Sequence, residues 1–251
     1  MPIAVARWLD GRPFTEVWTN EAGGRTFKVD DARGGVHLKW NPTGSSEDLE
    51  AEAARMLWAS PYTAVPEVVS VGGDGEGSWL CTTTIDAPNA VDPIFHDDPA
   101  RTARALGQGL RQFHDALPVE GCPWSWSAYN CVEQARSLID EASIATLEEP
   151  FSSWSATELI GYLEDIPAID RVVCQGDPCA PNTLLDPSRR CVGHVDLARL
   201  GVADRWADLS VMAWSVEWNF GPGFELEVYA GYGIALEERR RDYYRVLWRL
   251  S

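Results

Sequence analysis

The stretch RVVCQGDPCAPNTLLDPSRRCVGHVD, residues 171–196, decides the fold of this chain. Two apolar runs, residues 183–185 and 191–195, lie on either side of Asp186-Pro-Ser-Arg, a sequence typical of a tight turn. An apolar run, a turn and a second apolar run predict a β-hairpin. The stretch is therefore a β-rich insert in the second half of the chain, which otherwise has a helical pattern.

Three oxygen-bearing side chains stand at the open end of this predicted hairpin. Antiparallel pairing places the outer ends of the two runs about 5 Å apart, and Asn182 and Asp196 lie at those ends. The loop of residues 175–181 brings Asp177 to the same point. Carboxylate and amide oxygens suit Mg²⁺, which takes one or two protein groups and completes its shell from phosphates and water. The sequence therefore predicts a magnesium site here.

Each of these residues also has an ordinary structural explanation. Asp177-Pro is a common turn start, Asn182 is a loop amide and Asp196 caps a strand end. The trio, an Asp-x₄-Asn motif followed 14 residues later by Asp with a hairpin between, reproduces the arrangement used in phosphoryl transfer. The spacing favours a catalytic interpretation over three unrelated structural roles.

The first part of the chain has the pattern of a small sheet with one helix. Residues 14–40 alternate polar and apolar around two glycine pairs, which predicts strands joined by tight turns. Residues 47–59 change to a helical period, and residues 67–71 and 78–84 predict two more strands. The helix has one apolar stripe that includes Glu52 and four apolar residues, Leu49, Ala53, Met56 and Leu57. The segment 86–89, Asp-Ala-Pro-Asn, ends this region.

The rest of the chain is mostly helical in pattern. Residues 99–117 predict one helix, residues 129–166 two, and residues 206–250 the last helical region. A sheet with one helix, followed by a larger helical part with a β insert, predicts an α+β fold with a bilobal plan. We place the lobes at residues 1–87 and 88–251.

Composition limits the possible partners and location. The 251 residues are 45% hydrophobic, enough for a substantial core, and 38 acidic against 21 basic residues give a net charge of −17. That charge argues against nucleic acid and favours a cationic small molecule, although it also serves solubility. The six cysteines lack CxxC spacing. Since no secretion signal or membrane span is apparent, we expect a cytoplasmic protein, monomeric or alternatively dimeric.

The run CQGDPCAPNTLLDPSRRCVGHVDLARLGVADRWADLS resembles the catalytic segment of the aminoglycoside phosphotransferases, above all the streptomycin 3″-phosphotransferases. The resemblance implies a protein-kinase-like fold and a reaction that uses ATP and Mg²⁺. It also implies that Asp177 is the catalytic base and that Asn182 and Asp196 hold the metal. Where the family motif HGDxxxxN has His, this chain has Gln175, which keeps a donor and an acceptor to brace the loop.

A kinase-like enzyme also needs a lysine on a central strand and a glutamate on the neighbouring helix. Lys39, in the candidate strand Val36-His-Leu-Lys, and Glu52, on the inward side of the next helix, meet that requirement as a predicted ion pair at the nucleotide. Each could instead be an ordinary solvated side chain. Gly23-Gly24 serves equally as a phosphate-binding loop or a plain turn.

The resemblance assigns supporting roles to other residues. It makes His114 a structural histidine and Asp208 a fold-supporting aspartate, and we expect Arg199 to pair with a carboxylate. The acidic and aromatic residues near the C-terminus predict either core packing or a ring-binding cleft, and both interpretations stay open. They are Trp214, Glu217, Trp218, Glu225, Glu227, Tyr229 and Tyr232.

Together these observations predict an ATP-dependent kinase of a cationic aminoglycoside-like substrate, with the 3″-hydroxyl of streptomycin as the leading acceptor. One alternative keeps the chemistry and changes the acceptor to another antibiotic or a metabolic alcohol. A second alternative is an ATP-binding pseudokinase, which Gln175 and the short glycine loop motivate.

Overall fold

The computed structural model describes residues 3–20, 22–30 and 35–250. Contacts divide the chain into two units, Met1–Pro88 with Val192–Ala198 and Asn89–Cys191 with Arg199–Ser251. Within the described residues, none of the helices has both the length and the apolar character needed to cross a bilayer.

The first unit is an antiparallel five-stranded sheet with two helices. The elements are α1 (Ile3–Leu9), β1 (Phe14–Thr19), β2 (Arg25–Val29), β3 (Val36–Pro42), α2 (Leu49–Ala59), β4 (Val68–Gly73) and β5 (Gly77–Thr83). The strand order in the sheet is β1-β2-β3-β5-β4, so β3 is the central strand. The predicted sheet with one helix is present, and α1 is an addition that the sequence pattern did not indicate.

Alternation along the strands explains the core of this unit. Phe27 and Val29 on β2 and Leu38 on β3 are buried on one face, because successive side chains of a strand point to opposite faces. Val5 and Leu9 of α1 belong to the same buried cluster. The short N-terminal helix therefore covers this face of the sheet.

Helix α2 begins where the Asp48 side chain accepts a hydrogen bond from the backbone N–H of Ala51, at 3.0 Å. This N-cap satisfies a donor that the first turn leaves unpaired. Glu52 is buried with the apolar stripe, as predicted, but Leu57 is 59% exposed and its inclusion in the stripe was wrong. Leu57 is one position beyond the buried Met56, where the 3.6-residue period has turned the side chain outward.

The second unit is mainly helical. Its elements are α3 (Pro99–Ala116), α4 (Ala128–Leu138), α5 (Glu141–Ile144), α6 (Ala156–Glu164), β6 (Arg171–Cys174), β7 (Thr183–Leu185), β8 (Cys191–His194), β9 (Gly201–Asp204), α7 (Arg205–Phe220), α8 (Glu225–Tyr232) and α9 (Glu238–Leu250). Of these, β8 begins in the second unit and continues into the first from Val192 on. Three helices replace the two predicted within 129–166. The additional helix, α5, is a single turn that Asp140 and Ser143 close with a capping box.

Two small sheets lie in the β-rich insert. β7 and β8 form a two-stranded sheet, so the predicted hairpin is present. β6 pairs antiparallel with β9, from Arg171 opposite Asp204 to Cys174 opposite Gly201. The strand β9 has no signal in the sequence, because four residues are too few to show an alternation.

Helices α3 and α8 pack closely because glycines face the neighbouring backbone. A Cβ atom at Gly107 of α3 would overlap the carbonyl oxygen of Val228, and one at Gly231 of α8 would overlap that of Arg104. The close approach buries Leu106 and Leu110 in the main core of the second unit. It also fixes α8 beside the residues that support the loop described next.

Candidate active site

The first group of candidate residues lies in the first unit, around Lys39. Lys39 is on the central strand β3, opposite Thr26 on β2 and Leu80 on β5. Its Nζ lies 2.8 Å from an oxygen of Glu52 and 3.1 Å from an oxygen of Asp196. The structure thus contains the predicted Lys39–Glu52 ion pair and adds a second carboxylate that the sequence analysis had not connected to Lys39.

Burial and charge decide the protonation of this group. Burial by itself would lower the pKa of Lys39, but the negative charges of Glu52 and Asp196 outweigh it and raise that pKa above its usual value. Glu52 is 3% exposed and Asp196 is 43% exposed. Lys39 is therefore held as an ammonium group between one buried and one accessible carboxylate.

Asp196 has an unusual backbone conformation. Its φ is 62°, in the left-handed region that few residues other than glycine adopt. Two residues earlier, the backbone N–H of His194 donates to the carbonyl oxygen of Ala64 at 3.2 Å. Strained conformations of this kind are stabilised by their surroundings and cluster at functional sites.

The second group lies in the second unit, in the loop from Gln175 to Asn182. The buried carboxylate of Asp208 accepts hydrogen bonds from the backbone N–H groups of Gln175, at 2.6 Å, and Gly176, at 3.0 Å. Gly176 has a φ of 94°, and a Cβ there would overlap the carbonyl oxygen of Arg199. The start of the loop is therefore fixed by one carboxylate and by a position that requires glycine.

Side chains of the loop itself hold Asp177 on both sides. The Oε1 atom of Gln175 accepts a hydrogen bond from the backbone N–H of Asp177 at 2.6 Å. The Nδ2 atom of Asn182 donates to the backbone carbonyl of Asp177 at 3.0 Å. Gln175 thus has the bracing geometry predicted for it. Because Nδ2 of Asn182 makes this contact, its Oδ1 atom is not used in it.

A hydrogen-bonded chain extends behind Asp208. His114 contacts Asp208 through Nε2, at 2.9 Å, and the hydroxyl of Tyr232 through Nδ1, at 2.8 Å. Arg205 donates to that hydroxyl at 3.1 Å. With a proton on Nε2, His114 donates to Asp208 and accepts from Tyr232, so each polar group is satisfied. His114 and Asp208 have the buried, supporting positions expected of them.

His114, Cys174 and Asp208 lie close enough together to be considered as metal ligands. Asp208 already accepts three hydrogen bonds, two of them from backbone N–H groups of the loop. Burial raises the pKa of Cys174 well above its usual value, which disfavours the thiolate that a metal needs. These hydrogen bonds assign the cluster to support of the loop rather than to metal binding.

The glycine pair at residues 23 and 24 is a turn. The backbone N–H of Gly24 donates to the Asn20 side chain at 2.6 Å, and that of Gly23 donates to the Asn20 carbonyl at 3.1 Å. Both N–H groups are therefore engaged within the turn. This geometry favours the turn interpretation over phosphate binding, within the part of the loop that the structure describes, which omits residue 21.

The C-terminal aromatic residues divide between the two interpretations. Tyr229 and Tyr232 are core residues, whereas Trp218 is 71% exposed. Glu217 and Glu225 line a cavity of about 200 Å³ in the second unit.

Arg199 differs from its prediction: its guanidinium lies 4.6 Å from the ring centre of Trp248 and 5.8 Å from that of Trp126. Among the residues that the structure describes, this planar cation lies against indole rings and has no carboxylate within ion-pair distance.

Comparison with known proteins identifies the family. Residues 3–245 match the model of the phosphotransferase enzyme family. The chain belongs to that family. A family member from Streptomyces fradiae, an aminoglycoside 3′-phosphotransferase, is 32% identical over 82% of this chain and 81% of its own length. A streptomycin 3″-kinase from Streptomyces griseus is 30% identical over 80% of this chain and 77% of its own length.

Solved structures of the family have the same fold. An aminoglycoside-3′-phosphotransferase of type VIII is 29% identical, with a TM-score of 0.81 over 99% of this chain and 97% of the other. The aminoglycoside phosphotransferase APH(3″)-Id from Streptomyces rimosus, in complex with ADP and streptomycin, is 27% identical, with a TM-score of 0.72 over 100% and 99%. The predicted family resemblance, kinase-like fold and phosphotransferase class are confirmed.

The five site residues predicted from the sequence lie in two groups. Lys39, Glu52 and Asp196 come together in one unit, and Asp177 and Asn182 come together in the other. Two contacts were not predicted: the second partner of Lys39, and the hydroxyl of Ser215, which accepts from the backbone N–H of Ala180 at 2.9 Å. No local pattern could have indicated either contact, since the partners lie far apart in sequence.

Proposed function

We propose that this chain transfers the γ-phosphoryl group of ATP to a hydroxyl of an aminoglycoside, with the 3″-hydroxyl of streptomycin as the first acceptor to test. The observation that carries the proposal is the loop that holds Asp177. Two side chains and a buried carboxylate fix its backbone, while the Asp177 carboxylate stays partly exposed. A general base needs this combination of fixed position and access.

We assign nucleotide binding to the lobe of residues 1–87 and catalysis to the lobe of residues 88–251. Lys39, oriented by Glu52, binds the phosphates of ATP, because a permanent ammonium group favours them electrostatically. Asp177 orients the acceptor hydroxyl and takes its proton as the new bond forms. Positioning and charge neutralisation provide most of the acceleration, since the phosphoryl group passes through a loose transition state.

The residues present fit Mg²⁺. Asn182 offers an amide oxygen and Asp196 a partly exposed carboxylate, and both are hard oxygen donors. A bound Mg²⁺ would neutralise charge on the phosphates. Lys39 is within reach of Asp196, so the same carboxylate has a cationic partner on the protein and an oxygen to offer to a metal.

Two observations support an aminoglycoside as acceptor. Relatives from Streptomyces fradiae and Streptomyces griseus carry that activity in their names, and the streptomycin-bound protein from Streptomyces rimosus shares the fold of this chain. The net charge of −17 attracts polycations. The relatives named for the 3′ and 3″ positions are about equally similar to this chain, at 32% and 30% identity. Which hydroxyl is phosphorylated is therefore a question for the assay described next.

The test is a phosphorylation assay with ATP and Mg²⁺ on a panel led by streptomycin and kanamycin, with the product position read by NMR. Wild-type protein is expected to modify one hydroxyl, and Asp177→Ala and Asp177→Asn to be slower by about 10²- to 10⁴-fold, since general-base catalysis contributes that much. Equal rates for the wild type and Asp177→Ala would overturn the proposal. ATP binding measured by calorimetry in all three proteins is the control for folding.

A further inference from the structure

The cavity of about 200 Å³ in the second unit has an unusual lining. Both carboxylates and guanidinium groups line it, together with the indole of Trp214. The charged residues that line it are Glu148, Glu149, Glu217, Glu225, Arg241, Asp242, Arg245 and Arg249. Carboxylates outnumber guanidinium groups by two, so the cavity retains a negative charge that its own arginines do not balance.

The arginines show how the cavity binds a guanidinium group. Arg245 lies 3.1 Å from an oxygen of Glu217 and 3.1 Å from an oxygen of Glu225. Arg241 lies 3.3 Å from Glu225. Both contacts of Arg245 are made by its Nη2 atom, so the two carboxylates converge on one cationic nitrogen. The preference for a guanidinium group comes from the indole rings described next.

Trp214 of the cavity lining pairs with Trp218, which is not part of the lining, and the two indoles supply a stacking surface. The rings of Trp214 and Trp218 lie 5.3 Å apart, and the guanidinium carbon of Arg249 lies 4.5 Å from the first ring centre and 5.8 Å from the second. Trp214 is buried, but Trp218 is 71% exposed. The pair therefore already holds one planar cation, and most of Trp218 remains accessible to another.

We infer that this cavity, together with the exposed indole of Trp218 that packs beside the lining residue Trp214, is a subsite for a guanidinium group of the acceptor. The inference rests on the proposed function, because it specifies which aminoglycosides the enzyme prefers. A guanidinium is weakly hydrated and planar, so it stacks on an indole face at a smaller desolvation cost than an ammonium group. Trp218 is thus a specificity-determining residue that selects guanidinium-bearing acceptors over those with amines alone.

Glu217 supports this assignment electrostatically. Burial raises the pKa of its carboxyl above the usual value, although the positive charge of Arg245 opposes the shift. A carboxylate in that condition is stabilised further by another nearby cation. The exposed carboxylate of Glu149, on the same cavity, is accessible to a ligand from solvent.

Two small ligands test the subsite without any turnover. Streptidine and 2-deoxystreptamine are both dicationic aminocyclitols, but streptidine carries guanidinium groups where 2-deoxystreptamine carries amines. Isothermal titration of the intact chain should show tighter binding of streptidine. Trp218→Ala should weaken streptidine binding by about three- to thirtyfold, the range of a cation–π contact. Trp218→Phe should retain most of the affinity, and Glu149→Gln should reduce it.

Leu226→Ala is the matched control, since it also removes a large exposed apolar side chain, 61% exposed on the neighbouring helix α8. It should leave the affinity for both ligands unchanged. Equal binding of the two aminocyclitols by the wild type, or equal affinity of Trp218→Ala and the wild type for streptidine, would overturn the subsite. Circular dichroism melting of each variant establishes that a loss of affinity is not a loss of fold.

The two proposals fail in different ways. If streptomycin is phosphorylated but Trp218→Ala leaves its KM unchanged, the subsite is wrong and the proposed function stands. If streptidine binds with the expected preference but no aminoglycoside is phosphorylated, the subsite stands and the proposed function is wrong. With both correct, Trp218→Ala raises the KM for streptomycin, leaves kcat unchanged, and has little effect on the KM for kanamycin.

Discussion

Gln175 shows how one residue can take over a bracing role by geometry alone. Its Oε1 atom accepts the backbone N–H of Asp177, and its own backbone N–H donates to Asp208. An amide side chain offers an acceptor without carrying a charge, so no proton has to be present or absent for the contact to form. The pseudokinase alternative was based in part on Gln175 standing where the family motif has His. Because Gln175 makes the bracing contact, this departure no longer supports that alternative.

Replacing Gln175 tests this role. Gln175→Ala removes the side-chain acceptor of the Asp177 backbone N–H and thereby loosens the loop. We expect kcat to fall by about tenfold to a hundredfold, since a misplaced catalytic group costs on this order, while the KM for ATP changes little. Gln175→His restores the family residue and should keep most of the activity. A Gln175→Ala enzyme with wild-type kcat would show that the contact does not position the base.

The sequence indicated the residues of the candidate site better than the contacts that hold them. Asp177 and Asn182 stand in a motif of fixed spacing, and Glu52 is recognisable as a carboxylate on an apolar stripe. The Lys39–Asp196 contact and the acceptance of the Ala180 N–H by Ser215 join positions far apart in sequence. Only the folded chain decides such contacts, because many side chains of the same type compete for each partner.

At the scale of elements, two helix glycines differ in what an added methyl group would contact. Gly231→Ala should lower the free energy of unfolding by about 1–3 kcal/mol, because the new methyl group meets the carbonyl of Arg104 in a packed interface. Gly161→Ala is the matched control. It lies in α6 with nothing within 4 Å of the new Cβ, and should raise the free energy of unfolding by about 0.5–1 kcal/mol. Urea denaturation measures both variants. The argument would be contradicted if both substitutions changed the free energy of unfolding in the same direction.

The contribution of Asp204, at the start of α7, to the stability of the fold depends on pH. Its carboxylate accepts from the backbone N–H of Trp206 and from the hydroxyl of Tyr244, at 3.1 and 3.0 Å. Burial nevertheless raises the pKa of Asp204, against the effect of these hydrogen bonds. A raised folded-state pKa contributes stability below the unfolded value of about 3.9 and loses it as the pH rises through the folded value.

The corresponding experiment compares wild type with Asp204→Asn. Asparagine keeps a capping oxygen but does not titrate. As the pH falls from 7 towards 4, the free energy of unfolding of the wild type should therefore rise relative to that of the variant, by about 1.4 kcal/mol for each unit of pKa elevation. Urea denaturation at several pH values measures the difference. A difference that is constant with pH, or that moves the other way, would contradict the assignment.

Elements with a periodic pattern or a turn signal were predictable, and short elements without either were not. The strands and the helix α2 of the first unit and the helix α3 correspond to periodic patterns, and the hairpin of β7 and β8 corresponds to two apolar runs around a turn. The one-turn helix α5 and the strand β9 escaped prediction, because four residues show no period and their conformation is set by a cap or by pairing with β6. The same limit applies to α1, which is stabilised by packing Val5 and Leu9 on the sheet.

At the scale of the whole molecule, the charge of −17 could be read directly from the sequence, and its consequence for the reaction can be measured. An acidic surface raises the local concentration of a polycationic acceptor and repels ATP, which is an anion. The distribution of that charge could not be read in the same way. The arginines that balance part of the acidic cavity lie on α9, well separated in sequence from Glu148 and Glu217.

Salt should therefore affect the two substrates in opposite directions. Raising NaCl from 50 mM to 300 mM shortens the screening length to well below 10 Å. We expect the KM for streptomycin to rise several-fold, because the long-range attraction is lost, and the KM for ATP to fall or stay constant. Steady-state kinetics at each salt concentration measure both values. Contacts within the sites are screened less than exposed charges, so kcat should change little. If kcat shifted while both KM values stayed the same, the net charge would not guide the acceptor.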